Sequence, residues 1–271
     1  MERRLRPLLA GLMLLGCAGA GASEPLGECA DATLKRRIIV CTALIESHRA
    51  SGVSRAYDNR GVAFAHERQH DRAMADFNEA IRLSPGNAVA RFNRGNLFLE
   101  TGQLDHAIGD FTEAIRLEPV DGQAYGARGV AYLRKGQLEA SLLDLNVAIR
   151  LRPSDPEIVN NRGTAYYKSG QNDLAIADYT QAIRLNPRYA GAYYNRGNAL
   201  ARIGQLIQAL LDLTEAIRLN PNDAGAYYNR GTLHLLENDR DQAIADMRDA
   251  LRLDPSHERA RQTLRKLGVQ P

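Results

Sequence analysis

Residues 190–223 read AGAYYNRGNALARIGQLIQALLDLTEAIRLNPND, and residues 224–257 start over with AGAYYNRG and reach their own proline, Pro255, 34 residues after Pro221. Worked outward, the period holds with no insertion or deletion: Pro85, Pro119, Pro153, Pro187, Pro221 and Pro255 share it, as do Gly61, Gly95, Gly129, Gly163, Gly197 and Gly231, and Ala80, Ala114, Ala148, Ala182, Ala216 and Ala250. Between glycine and proline each copy holds two stretches with apolar residues at three- and four-residue spacing, split by a polar turn such as Glu100-Thr101-Gly102-Gln103. Each copy is therefore a helix hairpin. The glycine lets the first helix approach its neighbour closely, and the proline ends the second by breaking the hydrogen-bond ladder. One hairpin cannot bury its own faces; six in a row share one continuous core of local contacts. The expected class is all-α, an array of six 34-residue helix-turn-helix repeats.

Numbered from Ser54, Ala88, Gly122, Pro156, Ala190 and Ala224, the copies span 54–87, 88–121, 122–155, 156–189, 190–223 and 224–257. Small residues fill positions 8, 20 and 27, an aromatic or large apolar residue positions 11 and 24, and proline position 32, as Gly197, Leu200, Ala209, Leu213, Ala216 and Pro221 show in the fifth copy. Over residues 54–257 the chain resembles the tetratricopeptide-repeat family. That resemblance implies a right-handed α-solenoid without cofactor or catalysis, whose first helices line a concave groove that holds other proteins or peptide segments. The copies depart from the family in two ways. The chain has no Trp, so position 4 carries Tyr57, Tyr125, Tyr193 and Tyr227, with Arg91 and Val159 as the odd copies. The glycine at position 15 is missing from the end repeats, which have Arg68 and Asn238.

Position 7 is arginine in all six copies (Arg60, Arg94, Arg128, Arg162, Arg196, Arg230) and position 23 is always aspartate (Asp76, Asp110, Asp144, Asp178, Asp212, Asp246). With the turn near position 15, these residues face each other at one height on antiparallel helices, so the spacing predicts six charge-assisted pairs inside the hairpins. Arginine at position 29, Arg82 through Arg252, falls in the last helical turn, where a cation suits the helix dipole.

The N-terminus reads as an export signal over residues 1–22. Arg3, Arg4 and Arg6 precede an uncharged run from Pro7 to Ala22, too short and too weakly apolar to span a membrane. Two cleavage readings stand side by side. Ala20-Gly21-Ala22 suits ordinary removal, while Leu14-Leu15-Gly16-Cys17 resembles a bacterial lipobox that would leave Cys17 lipidated and the protein tethered to a membrane. The remaining cysteines, Cys29 and Cys41, suggest a disulfide in an oxidising compartment. On one straight helix they would stand about 18 Å apart, so a bridge requires the chain to fold back between them. Residues 23–53 then form an N-terminal half-repeat cap resembling those of exported bacterial tetratricopeptide proteins, and residues 258–271 a C-terminal capping helix and tail.

Charge does not point to nucleic acid. Without residues 1–22 the chain holds 32 basic against 31 acidic residues, and no basic tract or paired aromatic RNA motif occurs. One catalytic pattern does: His66-Glu67-Arg68-Gln69-His70 matches H-E-x-x-H, with Asp76 beyond it. A zinc protease needs both histidines on one face of an unbroken helix. Here they occupy positions 13 and 17, on either side of the predicted turn, and the repeat template already accounts for Asp76, so no catalytic, cofactor or metal residues are assigned.

What remains is the groove, into which the resemblance implies that positions 2, 5, 6, 9, 12 and 13 point. Position 13 gives Arg134, Lys168 and Arg202 as a basic stripe. Positions 12 and 5 give Tyr167, Tyr194 and Tyr228, and position 6 gives Asn161, Asn195 and Asn229. This set suits an extended peptide with acidic side chains or a terminal carboxylate. The carboxylate clamp of the family's chaperone-binding members needs lysine at position 5; here that position holds Asp58, Phe92, Gly126, Asn160, Tyr194 and Tyr228. The expected function is a non-catalytic scaffold or adaptor that recruits bacterial envelope proteins on the periplasmic side. The alternative is a structural subunit of an envelope assembly that uses its convex face or its caps, and self-association through the solenoid ends is a further expectation.

Overall fold

The computed structural model describes residues 25–47 and 52–270, so the export signal, with Cys17, lies outside the described residues. Among the described residues the chain is all helix, in two compact units that divide between Arg152 and Pro153. The first unit holds α1 (Pro25–Asp31), α2 (Leu34–Glu46), α3 (Val53–His66), α4 (His70–Leu83), α5 (Ala88–Glu100), α6 (Leu104–Leu117), α7 (Gly122–Lys135) and α8 (Leu138–Leu151). The second holds α9 (Pro156–Lys168), α10 (Asn172–Leu185), α11 (Ala190–Arg202), α12 (Leu206–Leu219), α13 (Ala224–Leu236), α14 (Arg240–Leu253) and α15 (Glu258–Lys266). From α3 onward odd-numbered helices are the first helices of hairpins. Each packs on the helix that follows it, and within each unit also on the next first helix: α3 on α5 and α5 on α7, then α9 on α11 and α11 on α13.

Local chemistry sets the ends of these helices. In four of the six copies the residue before the first helix accepts a hydrogen bond from an otherwise unpaired backbone N–H: Asn87 from Ala90, Asp121 from Gln123, Asp155 from Glu157 and Asp223 from Gly225. The turn inside the hairpin needs a left-handed residue, supplied by Gly102, Gly136, Gly170 and Gly204 at φ between 78° and 81°. In the end repeats Arg68 and Asn238 adopt φ 58° at the same position without glycine's freedom.

Within the hairpins the core is built from second-helix alanines and one large residue per copy. Phe77, Phe111, Leu145, Tyr179, Leu213 and Met247 are at most 1% exposed. Each lies against the position 8 glycine of the facing helix; a Cβ on Gly95 would come within 2.7 Å of the Phe111 ring, so even alanine there would force the ring to shift.

All six position 7 arginines form two-pronged pairs with the position 23 aspartates. Nε and Nη2 donate to the two carboxylate oxygens at 2.7–2.9 Å. The aspartates are buried, and their hydrogen bonds hold Arg60, Arg128, Arg162, Arg196 and Arg230 above the usual guanidinium range despite partial desolvation. The spacing did not disclose a second use. The remaining nitrogen, Nη1, donates to the helix before the hairpin: Arg60 to Thr42, Arg94 to Asn78, Arg128 to Thr112, Arg196 to Thr180 and Arg230 to Thr214. The guanidiniums also lie over repeat aromatics, Arg60 at 5.4 Å from the Tyr57 ring and Arg230 at 5.7 Å from Tyr227.

At the N-terminal end Cys29 and Cys41 are disulfide-bonded and buried, with their Cα atoms 5.0 Å apart. The chain folds back through the short connection between α1 and α2, as a bridge requires. The cap is a shortened hairpin rather than a single helix, since α1 packs on both α2 and α3. At the other end α15 buries Ala260 and Leu264 against Met247 and Ala250. His66 closes α3 and His70 opens α4, so the two histidines of the H-E-x-x-H match sit on different helices. Among the described residues no group of three His, Cys, Asp or Glu is placed to hold a metal ion.

Two stability predictions follow from this packing. Asp144→Ala leaves Arg128 half-buried without its carboxylate and should lower stability by about 3 kcal/mol in urea unfolding, whereas Arg128→Leu with Asp144→Leu should lose clearly less. Arg68→Gly should raise stability by about 1 kcal/mol by relieving the left-handed arginine.

Candidate functional site

The first-helix face of each unit was expected to offer its polar residues to a ligand. In the second unit most of them are engaged between repeats. Asn195 Nδ2 donates to Asn160 Oδ1 at 3.0 Å, and Asn229 Nδ2 donates to the Tyr194 hydroxyl at 2.9 Å and to Asn198 Oδ1 at 2.7 Å. Arg202 Nη1 donates to the Tyr167 carbonyl, in the last turn of α9, and its guanidinium lies 5.1 Å from the Tyr167 ring centre. Tyr228 packs its ring against His257 at 4.8 Å. Asn161 and Lys168 differ: neither makes a side-chain hydrogen bond or ion pair among the described residues, and Lys168 is exposed.

In the first unit Arg134 Nη1 donates to the Leu99 carbonyl near the end of α5, as Arg202 does to Tyr167 one unit later. Burial lowers the Arg134 guanidinium from its ordinary value. The position 13 arginines thus tie one first helix to the carboxyl end of another, a role that the idea of a basic stripe did not include.

The first unit also contains an arrangement that sequence reasoning passed over. Asp58 on α3 is 6% exposed and accepts a single side-chain hydrogen bond, from Nδ2 of Asn93 on α5, at 3.0 Å. Asn93 is 1% exposed, and its Oδ1 has no hydrogen-bond partner among the described residues. One turn further on, both amide atoms of Asn96 are buried without a partner, and so is Oε1 of Gln123 on α7. Desolvation pushes the Asp58 carboxyl up to about 6, against smaller opposing effects from the Asn93 hydrogen bond and the charge of Arg55. The signal that could have found this site is the charge itself, because Asp58 is the one ionisable side chain of its kind among six residues at position 5 that are otherwise Phe, Gly, Asn and Tyr.

Family models described as TPR repeat match residues 163–204 and 197–237, and models described as tetratricopeptide repeat match 54–87, 92–156 and 224–257. No curated protein matches the chain in sequence. Among solved structures the chain is similar to the APC/C hetero-tetramer Cut9-Hcn1, at 20% identity and TM-score 0.77 over 89% of this chain, and it spans about half (48%) of that one. It is also similar to pilF of Pseudomonas aeruginosa, at 16% identity and TM-score 0.70, covering 80% of this chain and 99% of that one. YrrB, described as a TPR protein with an unusual peptide-binding site, is 25% identical with TM-score 0.54, covering 70% of this chain and 97% of that one.

Asp58 carries a pH signature. A carboxyl whose folded pKa is raised favours the folded state most below the unfolded value near 4, and that contribution is lost as pH rises to the folded value near 6. Above pH 6 the carboxylate costs on the order of 3 kcal/mol. Asp58→Asn keeps the acceptor for Asn93 and should raise stability in urea unfolding at pH 7.5, an advantage that disappears by pH 4.

Proposed function

The chain belongs to the tetratricopeptide-repeat family, and on that premise we propose that it is a non-catalytic scaffold of the bacterial envelope that binds segments of other proteins along its first-helix face. The observation that carries this reading is the uneven use of polar groups. The arginine–aspartate pairs inside the hairpins are fully engaged, while Asn161 and Lys168 in one unit and Asn96 in the other keep side-chain donors and acceptors unused. Within each unit such groups suit the backbone and side chains of an extended segment. The similarity to YrrB, itself described as peptide-binding, agrees with this reading.

Export is part of the proposal. The basic and then apolar residues 1–22 support it, and so does a disulfide in the cap, since such bonds persist in oxidising compartments. The intact mass of the native protein distinguishes its two forms: an acylated chain starting at Cys17, or an unmodified one starting near Ser23.

A second reading, a structural subunit that makes its contacts through the outer face, rests on one observation. Ile207 and Leu211, one turn apart on α12, are 70% and 66% exposed. Affinity capture from native envelopes separates the two readings. A bait carrying Asn161→Ala and Lys168→Glu breaks no internal bond and should lose specific proteins that the wild type retains. Unchanged capture by that bait, with loss on Ile207→Ser and Leu211→Ser, would overturn the first-helix reading in favour of the second.

A further inference from the structure

We propose that the Asp58 carboxylate and the side-chain carbonyls of Asn93 and Asn96 form a subsite for a primary ammonium group, a lysine side chain or a free N-terminus, of the bound protein segment. The inference rests on the first-helix reading above and gives one part of that face its chemistry.

The repeats contain their own control. At the junction of α9 and α11, Asn195 Nδ2 donates to Asn160 Oδ1 at 3.0 Å, and at that of α3 and α5, Asn93 Nδ2 donates to Asp58 Oδ1 at 3.0 Å. These are the same two positions of the repeat, the same donor atom and the same length. A neutral asparagine therefore satisfies the packing and the hydrogen bond as well as a carboxylate does. The remaining copies fill position 5 with Phe92, Gly126, Tyr194 and Tyr228. A charge confined to one junction, and buried there against its solvation, is not needed for the array. An ionisable group held in unfavourable surroundings without a charged partner is a candidate for binding.

The surrounding atoms select the ligand. Asn93 and Asn96 lie three residues apart on α5 and so share one face of the helix. Asn93 Oδ1 is buried without a donor, as are both amide atoms of Asn96. A carboxylate bonded to Asn93, with unpaired amide oxygens on Asn93 and one turn further along the same helix, calls for a cation with several donors. An ammonium has three, one for the carboxylate and two for the amide carbonyls. A guanidinium matches less well, because its fork takes both oxygens of a carboxylate and Asn93 already occupies one of them. A divalent metal would need further ionised ligands, and among the described residues no three His, Cys, Asp or Glu converge. Arg55, one turn earlier on α3, is near enough to lower the Asp58 pKa but forms no ion pair with it among the described residues, so it does not fill the subsite.

The test uses the full mature chain, 15N-labelled, with three pentapeptide amides as probes: acetyl-Ala-Ala-Lys-Ala-Ala, the same peptide with norleucine for lysine, and unacetylated Ala-Ala-Ala-Ala-Ala. The lysine peptide, the unacetylated peptide or both should shift the side-chain amide resonances of Asn93 and Asn96, and the responding probe identifies the source of the ammonium. The norleucine peptide should leave them in place. Asp58→Asn should weaken the responding probe at least about tenfold while unfolding at higher urea than wild type, a pairing that a purely structural carboxylate would not give. The proposal is overturned if neither ammonium probe moves these resonances, or if Asp58→Asn binds as well as wild type. Envelope capture with an Asp58→Asn bait keeps the two levels apart. If it retains every partner that the Asn161→Ala, Lys168→Glu bait loses, the subsite falls and the first-helix reading stands; if both baits retain every partner, both fall.

Discussion

A guanidinium at position 7 has five N–H donors in a planar fork, and this fold distributes them in two directions. Two prongs close on the aspartate of the same hairpin, and from Arg60, Arg94, Arg128, Arg196 and Arg230 the third reaches a threonine or asparagine on the helix before it. A lysine could make one of these links but not the set. The pair inside a hairpin and the link between neighbours therefore depend on the same side chain, so a hairpin that loses its aspartate also loosens its hold on the helix it follows. Around that unit the rest is steric. The position 8 glycine lets the large residue at position 24 lie against the first helix, and small residues at positions 20 and 27, alanine throughout except Ser141, bring the backbones together.

Much of this was legible in the sequence, because a repeated structure repeats its evidence. Six prolines, six glycines and six arginine–aspartate pairs in one register leave helix hairpins as the account that explains them together, and the pairs appear where the spacing put them. The third arginine bond was not legible, because position 25 is Thr or Asn in the first five copies and Arg248 in the last, residues common on any helix surface. The groove was harder for a related reason. Asparagine at position 6 looks alike whether it faces a ligand or the neighbouring repeat, and only coordinates show Asn195 and Asn229 turned toward Asn160, Asn198 and Tyr194. Repetition identifies what packs; it is silent on what is spare.

The same logic directs attention to departures from the template. Arg68 and Asn238 depart at the turn and take the left-handed conformation anyway, so there the template's geometry outlasts its sequence. Asp58 departs in charge, and its geometry is kept as well, since the bond to Asn93 has the form of the neutral pair elsewhere. In the first case a local cost of backbone conformation is carried for the fold. In the second a cost of solvation is carried at one junction and at none of its counterparts.

The unbroken 34-residue register also bears on how such a chain changes over generations. A copy begins and ends at the same structural point, with its cap residue and its proline in place. The arginine of one copy looks for nothing more specific than a threonine or asparagine in the copy before. Unequal recombination between copies would therefore join surfaces that already match, and gain or loss of a whole copy would leave no seam. The Asp58–Asn93 junction is the exception. Its charge belongs to a single copy, so it fixes an origin along an otherwise interchangeable series, a reference point from which anything bound further along could be measured.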